Sequence, residues 1–122
     1  METKTEIHNP QYVGPGVWYL SHTLAMAADI DKDYDFFIKF FKKMVNSFGC
    51  EKCKQHAQAY ITKNPLSQIG DDYLPSLYVN KFHNTVNIRL GKETYSIDKS
   101  RAIFESVCKD CMLESEPQVS II

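Results

Sequence analysis

The apolar positions of this 122-residue chain recur mostly at three- and four-residue spacing. That is the period of one face of an α-helix, and no stretch of useful length alternates as a strand would. Gly14-Pro15-Gly16 reads as a stop followed by a helix start, with Pro15 near the first helical position, where its missing N–H is no loss. Trp18, Leu20, Leu24, Ala25, Ala27 and Ala28 continue that helix to Ala28 or Asp29. Asp31 can cap the next helix. There Phe36, Phe37, Phe40, Phe41, Met44, Val45 and Phe48 make an amphipathic stripe of about four turns that stops at Gly49. A third helix is predicted from around Cys50, carrying Ala57, Tyr60 and Ile61 and ending before Asn64-Pro65. Residues 65–74 read as a loop centred on Gly70-Asp71-Asp72. Pro75-Ser76 opens a fourth helix with Leu77, Val79, Phe82, Val86 and Leu90, closed by Gly91 as a C′ glycine. Residues 96–112, with Ile97, Ala102, Ile103, Phe104 and Val107, predict a fifth. The expected fold is all-α: a four-helix bundle with an additional short fifth helix, formed by residues 14–112 between a loose arm (1–13) and a frayed tail (113–122).

Composition narrows this picture. A hydrophobic fraction of 43% supports one modest core. Fourteen Lys and Arg against fifteen Asp and Glu leave a net charge of -1, so no broad field attracts nucleic acid or an anionic membrane. No apolar run approaches the roughly 18 residues of a membrane span. Residues 1–10 are polar and carry acids, without the charged-then-apolar pattern of a secretory leader, so the expected location is cytoplasmic. There is no Gly-x-Gly-x-x-Gly, no Walker-type loop and no Gly-x-Ser-x-Gly, which excludes the Rossmann, P-loop and α/β-hydrolase chemistries.

The cysteines carry the candidate chemistry. They form two Cys-x-x-Cys pairs, Cys50/Cys53 and Cys108/Cys111. In a reducing compartment such pairs are more often catalytic or metal-binding than structural. Cys50 and Cys53 sit three apart at a helix start, so both thiols share one face. The positive end of the helix dipole, helped by Lys52 and Lys54 and opposed by Glu51, should depress their pKa values. That describes a poised disulfide. The pairs lie 54 residues apart in the chain, and Cys50-Glu51-Lys52-Cys53 lacks the turn residues of a zinc knuckle, yet a Cys₄ zinc site remains an alternative. Two cysteines buried as small hydrophobes are another.

Two further clusters stand out. Trp18 and His22, four apart, share a helix face, which on its own describes a core tryptophan beside a half-buried histidine. His83, Asn84 and Asn87 are polar groups at the centre of a short helix, expensive to bury unless each finds a partner, and they call for a polar ligand. Arg89 and Lys92 lie near that helix's end and could reach phosphates, although a solvated surface position is the better reading of Arg89.

In order, Gly14-Pro15-x-x-Trp18-x-x-x-His22, Cys50-x-x-Cys53-x-x-His56 and His83-Asn84-x-Val86-Asn87-x-x-Leu90-Gly91-Lys92 resemble the Erv/ALR family of FAD-linked sulfhydryl oxidases. The likeness covers residues 14–105 and is nearest to the compact forms of large cytoplasmic DNA viruses. It implies FAD held at one end of the helical bundle, usually in a homodimer. Trp18 and His22 would meet the adenosine half, and Gly14 and Pro15 would also bind the cofactor. His83, Asn84, Val86, Asn87 and Leu90 would line the cofactor, with Lys92 near its phosphates and His56 near the flavin. Cys50 would exchange with incoming thiols and Cys53 would face the flavin. Electrons would pass from the dithiols of protein substrates, among them a possible thioredoxin-like carrier, through Cys50–Cys53 to FAD and then to O₂, giving hydrogen peroxide. The implied location is host cytoplasm and virion, ahead of the mitochondrial intermembrane space.

The chain departs from the family pattern at Tyr78, where a tryptophan is usual but a tyrosine would still stack on the cofactor with altered packing, and at Glu93, where a proline is usual. It also lacks cysteines for the common structural disulfide. Cys108/Cys111 beside the tail is similar to a shuttle pair, with a local structural disulfide as the competing assignment. The readings from other classes are a non-enzymatic zinc-binding helical adaptor built on the four cysteines and a flavin-free thiol–disulfide carrier.

Overall fold

The computed structural model describes residues 10–104, with side chains described from residue 14 onward. Five α-helical segments account for most of these residues: α1 (Pro10–Asp31), α2 (Tyr34–Asn46), α3 (Glu51–Lys63), α4 (Pro75–Arg89) and α5 (residues 97–104). A 3₁₀ turn, Leu66–Gln68, lies between α3 and α4. Among the described residues there is no strand, only an isolated antiparallel bridge between Gly70 and Tyr73. The all-α expectation therefore holds. The second Cys-x-x-Cys pair, Cys108/Cys111, and the predicted tail lie outside the described residues.

Helix α1 begins at Pro10, four residues before the predicted start, so residues 10–13 belong to the helix and not to an arm. Pro15 sits inside it. Its missing N–H forfeits the one bond that would run to the carbonyl four residues earlier, a loss confined to the second turn. At the other end, Lys32 turns left-handed (φ 56) and the Asp33 N–H reaches back to the Ala28 carbonyl at 3.2 Å. This is a Schellman closure made without glycine. Helix α4 ends the same way with glycine. Gly91 has φ 74, its N–H meets the Ile88 carbonyl at 3.1 Å, and the Lys92 N–H meets the Asn87 carbonyl at 2.8 Å. That closure folds Lys92 back beside Asn87.

The core is aromatic. Phe37, Phe41 and Val45 recur every four residues on α2 and are buried. Phe41 meets Tyr78 and Phe82 of α4 edge-on, with ring centres 5.7 and 5.5 Å apart. Edge-on contacts favour the pairing of electron-poor ring edges with electron-rich faces. Truncating Phe41 to alanine would cost about 3–5 kcal/mol. The buried Ala25 and Ala28 give α1 a small-residue face, and α1 packs most extensively against α4. Tyr78 is fully buried, and its hydroxyl donates to the Asn64 carbonyl at 2.7 Å, so it locks the end of α3 to α4.

Polar clasps close the bundle. No side chain caps α4 from its own N-cap position, Leu74. Asp29 of α1 does so instead, accepting from the Ser76 N–H at 3.0 Å. Arg101 of α5 donates to the Ser76 hydroxyl at 2.9 Å and lies 3.6 Å from Asp29. Asn84 accepts from the Tyr95 N–H (2.9 Å) and donates to the Tyr95 carbonyl (2.8 Å). Asn80 adds donations to the Tyr95 carbonyl and the Ser100 hydroxyl. Two asparagines one turn apart thus tie α4 to the segment leading into α5.

Candidate active site

Cys50 is the N-cap of α3. Its backbone is extended (φ -88, ψ 113), and its sulfur accepts from the Cys53 N–H at 3.2 Å. A sulfur therefore does what serine or aspartate does at ordinary helix starts. The Cys50 thiol is held below its ordinary pKa. The main cause is the hydrogen bond from the Cys53 thiol, followed by the backbone N–H groups of Cys53 and Lys52 and the Lys52 charge, with burial opposing. Cys53 is pushed up to about 11, first by burial, then by its hydrogen bond to Cys50 and the charge there, while Arg89 pulls the other way. The pair is polarised: when the reduced pair gives up a proton, Cys50 ionises first and Cys53 holds its proton longer.

Both cysteines open onto a cleft of about 800 Å³. One wall is the turn Phe48-Gly49 together with the start of α3 as far as His56 and Ala57. Helix α1 supplies Gly14, Pro15, Val17 and Trp18. The inward face of α4 supplies Phe82, His83, Val86, Asn87, Arg89 and Leu90, and Lys92, Glu93 and Tyr95 follow from the segment after it. The size suits an organic ligand, and the mixture of rings with a few polar groups is the usual lining of such a site.

The Trp18 indole lies flat on the His83 imidazole, with centroids 3.7 Å apart and planes within 5°. Behind it, His22 Nε2 and His83 Nδ1 share a hydrogen bond at 2.9 Å, and His22 stacks on Phe104 at 4.2 Å. Burial lowers His22 to about 4, and burial with the neighbouring His22 and Lys92 charges lowers His83 to about 3. Two neutral imidazoles can share one proton between these nitrogens; two imidazolium ions could not. One polar atom here has no partner among the described residues: the Asn87 side-chain N–H₂ is buried without an acceptor. A buried orphan donor on a cleft wall costs about 1–3 kcal/mol until something accepts from it.

Most of the predicted site residues come together on this cleft. Gly14, Pro15, Trp18, Cys50, Cys53, His56, His83, Val86, Asn87, Leu90 and Lys92 all line it. Three do not. His22 stands behind His83, Tyr78 is turned into the core toward Asn64, and the amide of Asn84 is engaged with the Tyr95 backbone. The physical reason is common to all three: each has an internal partner at hydrogen-bond distance, which holds its polar end away from the cleft. Arg89 is solvent-exposed, as expected, and also lines the cleft. Its spacing offered a signal, because position 89 follows Val86 by three and so shares its helix face.

The model of the Erv1/Alr family matches residues 15–106. The chain belongs to the Erv1/Alr family. An African swine fever virus protein named FAD-linked sulfhydryl oxidase is 32% identical over 97 residues, covering 75% of this chain and 79% of its own length. Another, named putative FAD-linked sulfhydryl oxidase 347L, from Invertebrate iridescent virus 6, is 31% identical over 93 residues, covering 69% of this chain and 84% of its own. No solved structure matches. As an Erv1/Alr chain, the protein has its cysteine pair, its aromatic wall and its orphan donor inside the matched stretch.

Proposed function

We propose that this Erv1/Alr chain is an FAD-dependent thiol oxidase that forms disulfides in partner proteins. The observation that carries it is the polarised Cys50/Cys53 pair opening onto the same cleft as the Trp18–His83 stack and the orphan Asn87 donor. FAD fits the residues present. An acceptor on the ligand would satisfy Asn87, Trp18 and Phe82 offer ring surfaces, and Lys92 carries charge suited to a pyrophosphate. When bound, FAD would accept two electrons from the cysteine pair and deliver them to O₂.

The chain's own part begins at the Cys50–Cys53 disulfide. A substrate thiolate attacks Cys50, the Cys50–Cys53 bond breaks, and Cys53 leaves as a thiolate. The second substrate thiol then attacks the mixed disulfide and releases Cys50, so the substrate gains a disulfide and the pair is reduced by two electrons. Cys50 suits the substrate side because it stands at the helix start, with donors that hold its charge. Cys53 lies one turn further along α3, on the same face as Ala57, and lines the cleft with it. His22 acts through His83, holding it flat against Trp18. The same proposal includes a homodimer, supported by Leu20 of α1 (46% exposed) and Phe36 of α2 (50% exposed), and a site of action in host cytoplasm or virion, supported by the viral relatives.

The test is direct. The purified protein is expected to be yellow, to carry one FAD per chain and to consume oxygen with dithiothreitol. Cys50→Ser and Cys53→Ser are each expected to abolish turnover. A colourless protein containing stoichiometric zinc would overturn the proposal in favour of the adaptor.

A further inference from the structure

We infer that Arg89 is the electrostatic partner of the Cys53 sulfur, holding negative charge there each time the Cys50–Cys53 bond opens. This rests on the reading of that pair as the redox centre. Arg89 makes and breaks no bond; it is a positioning residue that acts through its charge.

Three observations lead to it. Arg89, in the last turn of α4, and Cys53, in the first turn of α3, line the same cleft from different helices. Among the described residues, Arg89 has no carboxylate within ion-pair distance, whereas Lys54 is held by Glu51 at 3.9 Å and Arg101 by Asp29 at 3.6 Å. Glu93 lines the cleft too, but forms no ion pair with Arg89. The third observation is the need. Cys53 receives the electron pair when a substrate thiolate takes Cys50, and its own N–H is already committed to Cys50. Ala57, one helical turn on and buried, is poor company for a charge. Burial and Cys50 both oppose ionisation of Cys53, and Arg89 is the leading influence in the other direction. Lys92 acts on His83 instead. A thiol with a lower pKa also leaves faster, so the same charge speeds the opening of the disulfide.

The bland alternative is that Arg89 only complements the C-terminal end of the α4 dipole. That role affects helix stability and leaves Cys53 chemistry untouched, so the two are separable. The experiment uses the flavin-free protein carrying Cys50→Ser, Cys108→Ser and Cys111→Ser, in which Cys53 is the sole thiol. Its alkylation by iodoacetamide is followed from about pH 8 upward, because the thiolate is the species that reacts. Adding Arg89→Gln is expected to slow alkylation roughly three- to tenfold at fixed pH and to move the pH profile upward. Arg89→Lys is expected to stay within about twofold of Arg89, and Arg89→Met, which keeps the apolar stem, to behave like Arg89→Gln. Unchanged alkylation and an unchanged profile in a folded Arg89→Gln or Arg89→Met protein would overturn the inference. The measurement needs no FAD, so failure of flavin binding would sink the oxidase proposal and leave this result standing.

Discussion

At the scale of single residues, the site is a set of groups whose ordinary partners have been withheld. Asn87 makes the point most sharply. Its neighbours on α4, Asn80 and Asn84, direct their side-chain donors at Tyr95 or Ser100, yet the Asn87 N–H₂ is buried and unmatched among the described residues. A protein tolerates such an atom when a ligand completes it. Asn87→Leu keeps the approximate shape and removes the donor. It is expected to raise the melting temperature of the flavin-free protein, in line with relief of about 1–3 kcal/mol. It is also expected to shrink the further rise on adding FAD, since a ligand stabilises only as far as it binds. Paired thermal melts with and without FAD check both halves. A lower melting point without FAD would mean that Asn87 has a structural partner after all.

Elements show what the sequence could and could not disclose. Helix spacing alone made the faces of α2, α3 and α4 readable, and with them the shared surface of His83, Val86, Asn87 and Leu90. Spacing cannot reveal partners that arrive from elsewhere. Asn84 answers to Tyr95 eleven residues later, and Tyr78 to the carbonyl of Asn64, so neither engagement was visible in a local pattern. The start of α1 was missed because Gly14-Pro15-Gly16 combines the two strongest breakers, while the actual loss is a single hydrogen bond. The end of α1 offers a prediction at this scale. Lys32 holds φ 56, a conformation that costs an L-residue about 1–2 kcal/mol and glycine almost nothing. Its ion pair with Asp71, at 3.7 Å with both side chains about 70% exposed, adds little. Lys32→Gly is therefore expected to stabilise the protein by roughly 0.5 kcal/mol, after the extra freedom of glycine in the unfolded chain is deducted. Urea unfolding measures it, and a destabilised variant would show that the Lys32 side chain matters more than its backbone.

At the scale of the whole molecule, one buried pair links three helices and makes stability depend on pH. His22 belongs to α1, His83 to α4, and Phe104, on which His22 stacks, to α5. Folded, the two histidines are lowered to about 4 and about 3, against 6.5 for an ordinary histidine. Below that ordinary value the unfolded chain takes up protons that the folded chain refuses. Acid therefore favours unfolding: stability is complete above about pH 6.5 and falls as the pH drops toward the folded values. Each histidine contributes a slope of up to about 1.4 kcal/mol per pH unit in that window. Because the two share one hydrogen bond and do not titrate independently, a loss of about 2–4 kcal/mol by pH 5 is expected, out of a total of about 5–15 for a domain. The charged and titratable groups around the pair do not reverse the sign, since the Lys92 charge opposes a proton on His83 as burial does. The urea midpoint should thus fall clearly between pH 7 and pH 5. His83→Gln retains a polar group and removes one titration, so it should be less stable at pH 7 yet lose less on acidification. Equal midpoints at the two pH values would show that the imidazoles take up protons without leaving the fold, and that the Trp18–His83 wall survives with charge inside it.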